Sequence, residues 1–317
     1  MHNHKPFDVL TFGDLCVDLI ISGDDVKPQF GQVEKLVGDY TLEMGGSCSL
    51  FACQAARLGL RTAILGRVGD DSFGRLVVRR LQECGVDTRY VTVDAQLKTG
   101  LGIALCQDND RAILTYMGTI NVLQPADVND DLLSLARHLH HGSYFLHTGL
   151  LPGIPGIFKR AKQLGLSTSL DPNWDPQELW DANLAEVLPY TDILMPNEQE
   201  ARFIGHRSSL AQAVTRFHEQ GVPLVTVKLG AQGAMADDGH AAIQRTVTPV
   251  SGGDSIGAGD SFDAGFLAGW LGGEPLERCL ELACTCGSSV ASKVGGLAGQ
   301  LRFLPQMGTA RPRQCEH

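Results

Sequence analysis

Residues Gly253-Asp254-Ser255-Ile256-Gly257-Ala258-Gly259-Asp260-Ser261-Phe262 set three small residues directly before an aspartate, and an apolar run continues to residue 271. Small residues let the backbone turn tightly and approach a ligand closely. A helix opening at about Gly257 would point unpaired N–H groups at whatever sits there, and those donors, with the helix dipole, suit an anion such as a phosphate. Asp260 falls in the first turn of that helix. A carboxylate so placed repels phosphate, but it is well suited to taking a proton from a hydroxyl that attacks one. A plainer alternative exists, since an acidic residue in a first turn often serves only the helix dipole.

Other anion-binding turns recur along the chain. Gly45-Gly46 opens a small-residue helix, Asn197-Glu198-Gln199-Glu200 follows a strand, and Lys228-Leu229-Gly230-Ala231-Gln232-Gly233-Ala234 closes a later one. No Gly-x-x-x-x-Gly-Lys-[Ser/Thr] is present, and Gly-x-Gly-x-x-Gly fails at the anion turn, where Phe262 holds the last position. Taken singly, Glu200 reads equally as a helix charge, Lys228 as a strand-end cation and Asp18 as a turn cap. Lys98-Thr99-Gly100 lacks the Ser-x-x-Lys that would give it catalytic meaning. His138, His140, His141 and His147 have no carboxylate at a ligand spacing, so no metal site is expected there.

The elements that must carry these turns alternate. Strands are expected at 7–13, 62–68, 144–147, 167–171, 192–195 and 224–228. Helices are expected at 46–58 (stopped by Gly59), 72–84 (capped by Ser72), 127–137, 155–164 and from 197. Leu210, Val214 and Phe217 line another helical face, and Leu276, Leu280 and Ala283 a late one. Such alternation predicts a mostly parallel sheet with crossover helices, whose ligands sit at the C-terminal ends of the strands. Residues 19–40 and 91–116 break the pattern. The second holds a hairpin signature, 102–107 and 111–116 around Asp108-Asn109-Asp110. A second hairpin is expected around Asp238-Gly239. The irregular stretches predict a small β-rich lid, from insertions at about 15–40 and 95–120, on a single α/β domain spanning 1–317.

Composition narrows the function. With 317 residues, 43% hydrophobic and 20% charged, the chain can bury a large core. A net charge of −10 argues against nucleic acid and anionic membranes as partners, so a phosphate site must be local. Nine scattered cysteines without a Cys-x-x-Cys pair argue against a disulfide framework or structural zinc, and Cys279, Cys284 and Cys286 are expected to pack as small apolar groups. No signal-peptide or membrane-spanning run is present, and a cytoplasmic protein is expected.

The order of these motifs closely resembles the PfkB family, the ribokinase-like sugar kinases, over nearly the whole chain. Residues 254–262 are similar to its C-terminal signature, Gly45-Gly46 through Ala55-Ala56-Arg57-Leu58-Gly59 to its N-terminal one, and 66–74 to the segment that follows. The resemblance implies a ribokinase-like α/β/α sandwich with a mostly parallel sheet and a β-rich lid. It implies phosphoryl transfer from ATP, with Mg²⁺, to a hydroxyl of a small sugar-like substrate. In that scheme Asp260 is the base, and the N–H groups of Gly257, Ala258 and Gly259 form the anion hole. Asp18, Gly45, Gly46 and Arg111 meet the substrate. Asn197, Lys228, Gly230 and Gly233 meet the nucleotide, and Glu200 acts on Mg²⁺ through water. Asp254 and Ile256 lie by a monovalent-cation site, such as one for K⁺. A nucleoside kinase and a non-catalytic sugar- or nucleotide-binding relative are the alternatives. One departure stands out: the Asn expected four residues after the second glycine is Leu50, which leads to the expectation of an apolar patch facing the substrate. Exposed edges on the lid lead to the expectation of a homodimer.

Overall fold

Nine strands form one sheet because both of its faces find helices to cover them. The structure is a computed structural model and describes residues 5–107 and 110–302. In chain order the elements begin β1 (Phe7–Gly13), β2 (Cys16–Ser22), β3 (Asp39–Gly45), α1 (Ser47–Arg57), β4 (Thr62–Gly69), α2 (Ser72–Cys84), β5 (Asp87–Asp94), β6 (Gly100–Gln107) and β7 (Asp110–Tyr116). They continue α3 (Asp130–Ser134), β8 (Ala136–His141), α4 (Ile154–Gln163), β9 (Ser167–Leu170), α5 (Leu184–Val187), β10 (Ile193–Leu194), α6 (Glu198–Ile204), α7 (Leu210–Glu219) and β11 (Leu224–Lys228). The last are β12 (Ala234–Asp237), β13 (Ala242–Arg245), α8 (Ala258–Leu271) and α9 (Leu276–Ala291).

The large sheet runs β13-β12-β11-β10-β9-β8-β1-β4-β5. Its pairs are parallel except β11–β12 and β12–β13, the hairpin expected around Asp238-Gly239. Consecutive residues of β1 serve opposite layers. Leu10 and Phe12 pack with Phe158 of α4 and Phe217 of α7, while Val9 packs with Phe51 of α1, Phe266 of α8 and Leu280 of α9. Burial on both faces is why the strands read as apolar runs rather than alternating ones. The mostly parallel sheet is the one that the alternation predicted, and the three-layer α/β/α sandwich is the one that the resemblance implied.

A second sheet, β3-β2-β6-β7, is antiparallel except for its central β2–β6 pair. It comes from the two irregular stretches, with β3 reaching Gly45, past the expected boundary at about 40. The Asp108-Asn109-Asp110 turn begins outside the described residues. Val91 belongs to β5 of the large sheet, so that stretch is β-rich for two unrelated reasons.

Three local expectations fail. The stretch 127–137 holds only a short α3, and β8 begins at Ala136, while 144–146 is a 3₁₀ turn rather than a strand. The reason is the run Arg137-His138-Leu139-His140-His141. His138 and His140 look polar in sequence but are fully buried, hydrogen-bonded to Ser167 and Ser169 of β9, and behave as strand residues. Among the described residues no group of His, Cys, Asp or Glu is placed to hold a metal. The cap of α2 is Asp71 and not Ser72.

Asp71 also ties α2 to the small sheet. Its carboxylate accepts from Gly74 N at 2.8 Å and from Thr99 N and Oγ1, both at 2.8 Å. Burial opposes ionisation here, but those hydrogen bonds outweigh it and hold the carboxyl below its usual value. Losing a cap costs about 1 kcal/mol, and orphaning Thr99 adds about as much. Asp71→Ala is therefore expected to lower stability by about 2 kcal/mol at pH 7 in urea unfolding. A group with a lowered folded value stabilises above its unfolded value of about 3.9, and that contribution fades as pH falls through the folded value. The penalty of Asp71→Ala should accordingly shrink below about pH 4.

Candidate active site

The first turn of α8 is held open by what lies behind it. Gly257 has φ +72° and ends the turn, and α8 begins at Ala258 with Asp260 in its first turn. Behind Gly257 there is no room for a side chain: a Cβ there would lie 2.9 Å from Gly296 Cα and 3.0 Å from Leu50 Cδ1. Leu50 is thus 2% exposed, wedged beneath the turn, with its carbonyl accepting from Gln300 Nε2 at 2.8 Å. The expectation that it faces substrate is corrected. One helical turn into α1, the side chain points at α8 and seals the floor of the anion turn.

The polar face of α1 belongs to Ser47. Its hydroxyl accepts from Asn173 Nδ2 at 2.7 Å and lies beside Asp260, whose carboxyl it helps to hold down. Asp14, at the end of β1, accepts from Ser47 N at 2.8 Å and Cys48 N at 3.0 Å, which caps α1 in place of any residue of the helix itself. Asp260 is 8% exposed, and its carboxyl is pushed up to about 8. Burial is the main cause, followed by Asp171. Lys228 and Ser47 pull the other way.

Lys228 closes β11 and reaches across to β9 and α8. Its Nζ lies 2.7 Å from Asp171 Oδ2 and 3.3 Å from both Asp263 oxygens. A Cβ on Gly259 would sit 3.5 Å from that ammonium, so the cation flanks the anion turn. Burial alone would strip its proton, but Asp171, Asp263 and Glu200 outweigh it and raise the amine above its ordinary value. Asp263, fully buried and second to Asp171 for the same cation, is driven well up. Asn197 and Glu200 form a capping box at α6, with Glu200 N donating to Asn197 Oδ1 at 2.9 Å and Asn197 N to Glu200 Oε2 at 2.8 Å. Glu200 is pushed up to about 7, first by burial and then by Asp171. Gly230 (φ +58°) and Gly233 (φ +95°) shape the turn after Lys228.

A second cluster comes from the small sheet. Asp18 projects between Gly45 and Gly102, whose absent Cβ atoms would collide with its carboxylate. Gly45 therefore makes room for Asp18, and Gly46 (φ +88°) passes tightly over the Asp14 carbonyl. Asp18 is pushed up to about 7 by burial, then by Asp14 and Asp254, with Arg111 opposing. Arg111 donates to the Asp254 carbonyl at 3.1 Å and Ser255 Oγ at 3.3 Å, linking β7 to the anion turn. The Asp254 carboxylate accepts from Ile256 N and Gly295 N, both at 2.9 Å.

Two carboxylates beside one buried cation, at a helix start and the C-terminal ends of β9 and β11, suit transfer of an anionic group to a hydroxyl. The model of the pfkB family carbohydrate kinases matches residues 7–301. The chain belongs to that family. Members transfer a phosphoryl group to sugar hydroxyls, and this kinase carries their ATP-dependent domain. It is 31% identical over 77% of its length to an uncharacterised sugar kinase of Archaeoglobus fulgidus, covering 96% of that protein. It is 27% identical over 91% of its length to a 5-dehydro-2-deoxygluconokinase of Geobacillus kaustophilus, covering 89% of it. An E. coli protein provisionally assigned as ribokinase II, solved with ATP and Mg²⁺, superposes with a TM-score of 0.83 at 29% identity, covering 93% of this chain and 96% of that one.

The kinase's predicted residues fall into these two clusters, on either side of Asp14 and Ser47. Sequence reasoning missed four: Asp14, Asp171, Asn173 and Asp263. Gly13-Asp14 and Asp171-Pro172-Asn173 each follow a buried strand, a position where polar residues invite a functional reading. Asp263 lay hidden in the apolar run of α8.

A carboxyl raised in the folded state favours folding below its unfolded value and loses that contribution as pH rises through the folded value. For Asp260 the window runs from about 4 to about 8. Asp260→Asn carries no such titration. In thermal or urea unfolding of the ligand-free kinase, its stability relative to wild type should rise across that window, by on the order of a few kcal/mol. A constant difference from pH 4 to 8 would show that Asp260 ionises freely.

Proposed function

We propose that this kinase moves the γ-phosphoryl of ATP to a hydroxyl of a sugar or sugar-like small molecule, with Asp260 as the base. The observation that carries this reading is the placing of Asp260 within a helix start flanked by Lys228. Base, backbone donors and cation converge on one point. The N–H groups of Gly257 and Gly259 receive the transferring group, joined by that of Ala258 when it leaves the Ser255 carbonyl, to which it donates at 3.3 Å, and Lys228 offsets its charge. A substrate hydroxyl between Asp260 and the phosphoryl gives up its proton to Asp260 as the new O–P bond forms. Ser47 and Asn173 fix the carboxylate's orientation. Asp18 and Arg111 meet the rest of the substrate, and Asn197, Gly230 and Gly233 line the nucleotide side.

The acidic groups fit Mg²⁺ held mainly by phosphates and water. Glu200 and Asp171 crowd each other, yet among the described residues no cage of three ligands exists. Bound there, the ion would neutralise charge across the β- and γ-phosphates. A monovalent cation at Asp254 and Ile256 fits less well, because both Asp254 carboxylate oxygens accept backbone N–H groups and its carbonyl accepts from Arg111.

The small sheet acts as the lid of a single kinase domain, and its outer face supports a homodimer. Leu42, Leu19, Ile103 and Leu114 are cross-strand neighbours in one row, with Tyr40 and Tyr116 on the same face. Leu42, Leu114, Tyr40 and Tyr116 are exposed. A second copy would cover them. Light scattering at micromolar concentration should give twice the chain mass, and Leu114→Asp should return a monomer that still folds. A wild-type monomer would refute the pairing.

An ADP-release assay over pentoses, hexoses, ketoaldonates and nucleosides tests the activity. At least one sugar-like substrate should turn over, and Asp260→Asn should lower that turnover by roughly a hundredfold or more with little change in ATP affinity. Turnover should also climb with pH toward about 8, as Asp260 loses its proton. Near-normal turnover by Asp260→Asn would remove Asp260 from its role.

A further inference from the structure

Cys84 is the last residue of α2, and Cys53 lies in α1. Both belong to the buried cluster that joins α1, α2 and the small sheet. The two thiols are neighbours that act on each other's ionisation. Cys84 is 8% exposed and lines a cavity of 410 Å³ that opens to solvent between α1, α2 and residues 294–302. Cys53 lies behind it and does not line the cavity. The cavity wall also carries Arg57 and Arg80 with Glu43 and Glu83. Arg80 is engaged by both glutamates, whereas Arg57 acts on both thiols.

The two sulfurs differ in character. Cys84 is pulled down to about 7, first by the hydrogen bond from Cys53 and then by Arg57, against burial and Glu83. Cys53 is driven well up, first by burial. The C-terminal dipole of α2 works against a thiolate, and Arg57 offsets it. Burial instead pushes up Cys16, Cys48, Cys106, Cys284 and Cys286.

We propose that Cys53 and Cys84 are an oxidisable pair, in which Cys84 is the thiol that attacks a small hydroperoxide entering by the cavity and Cys53 resolves the product to a disulfide. In the first step the Cys84 thiolate attacks one peroxide oxygen. An S–O bond forms, the O–O bond breaks, and hydroxide (from hydrogen peroxide) leaves and takes up a proton. Cys84 is then a sulfenic acid. In the second step the Cys53 sulfur attacks the Cys84 sulfur. The S–S bond forms, the S–O bond breaks, and the Cys53 proton leaves with the oxygen as water. The two sulfurs lose two electrons, and the peroxide gains them. The pair thus differs from an exposed lone thiol, because the oxidised product is trapped before further peroxide reaches it.

The test treats the full-length kinase with hydrogen peroxide, blocks remaining thiols, and maps peptides by mass spectrometry without reduction. A Cys53–Cys84 linked peptide, lighter by two hydrogens and released by dithiothreitol, is expected before any other cysteine reacts. In Cys53→Ala the link is lost and Cys84 should instead be labelled by dimedone, a sulfenic-acid probe. Cys84→Ser should leave Cys53 reduced. Wild-type kinase in which Cys84 stays reduced while other cysteines oxidise, or in which Cys84 stops at an untrapped sulfinic acid beside a free Cys53, would overturn the proposal. The wild-type experiment decides even where a variant fails to fold.

Discussion

One ammonium group holds the centre of this kinase together. Lys228 is shared by Asp171 and Asp263, so three elements distant in sequence, β9, β11 and α8, meet at a single buried charge. Taking those charges out of water costs several kcal/mol per ion, and the pairing repays this only with good geometry. The arrangement is therefore a constraint more than a source of stability. If β11 slipped by one residue, Lys228 would turn to the opposite face and leave two carboxylates buried without a partner. The register of the sheet and the position of the helix start are fixed by the same contact that places a cation beside Gly259.

The site as a whole concentrates acidic groups, and burial and their own crowding push four of them, Asp18, Glu200, Asp260 and Asp263, up from the usual carboxyl range. Asp14, Asp18, Asp171, Asp260, Asp263 and Glu200 are gathered near few cations, and the balance is struck by backbone donors. Asp14 holds the start of α1, the Asn197–Glu200 box holds the start of α6, and Asp254 binds two backbone N–H groups next to α8. Three helices are thus anchored by carboxylates that also set the local potential. A substrate bringing phosphates and a divalent cation would enter a pocket already poised against further free anions.

Much of this was legible in the chain. The turn at Gly257-Ala258-Gly259-Asp260 was legible because a tight turn, a helix start and a first-turn acid are all local properties. Lys228 and Asn197 stood out only as strand-end residues beside glycine-rich or capping turns, and the family resemblance, not the local pattern, suggested a role for them. Asp263 was missed because it sits among apolar neighbours on α8, and only its distance to Lys228 gives it meaning. Leu50 was misjudged for a related reason: a helix position shows which way a side chain points only once the partner helix is known. The histidines of β8 misled because four polar residues in the five from Arg137 to His141 do not read as a buried strand, although serines of the adjacent strand satisfy two of the histidines. Tertiary pairing, absent from any local pattern, made each of these differences.

The small sheet has a history as well as a shape. Its two outer pairs are local, but its centre joins β2 to β6 in parallel, across all of residues 23–99. Closing that pair must wait until α1, β4, α2 and β5 have been laid down, because the two strands have nothing to align them before then. During synthesis β2 emerges early, rich in Leu and Ile, and remains without β6 while residues 23–99, just under a quarter of the chain, are made. The small sheet thus cannot close before β6 is made, and a nascent chain spends that interval with an apolar strand in the open.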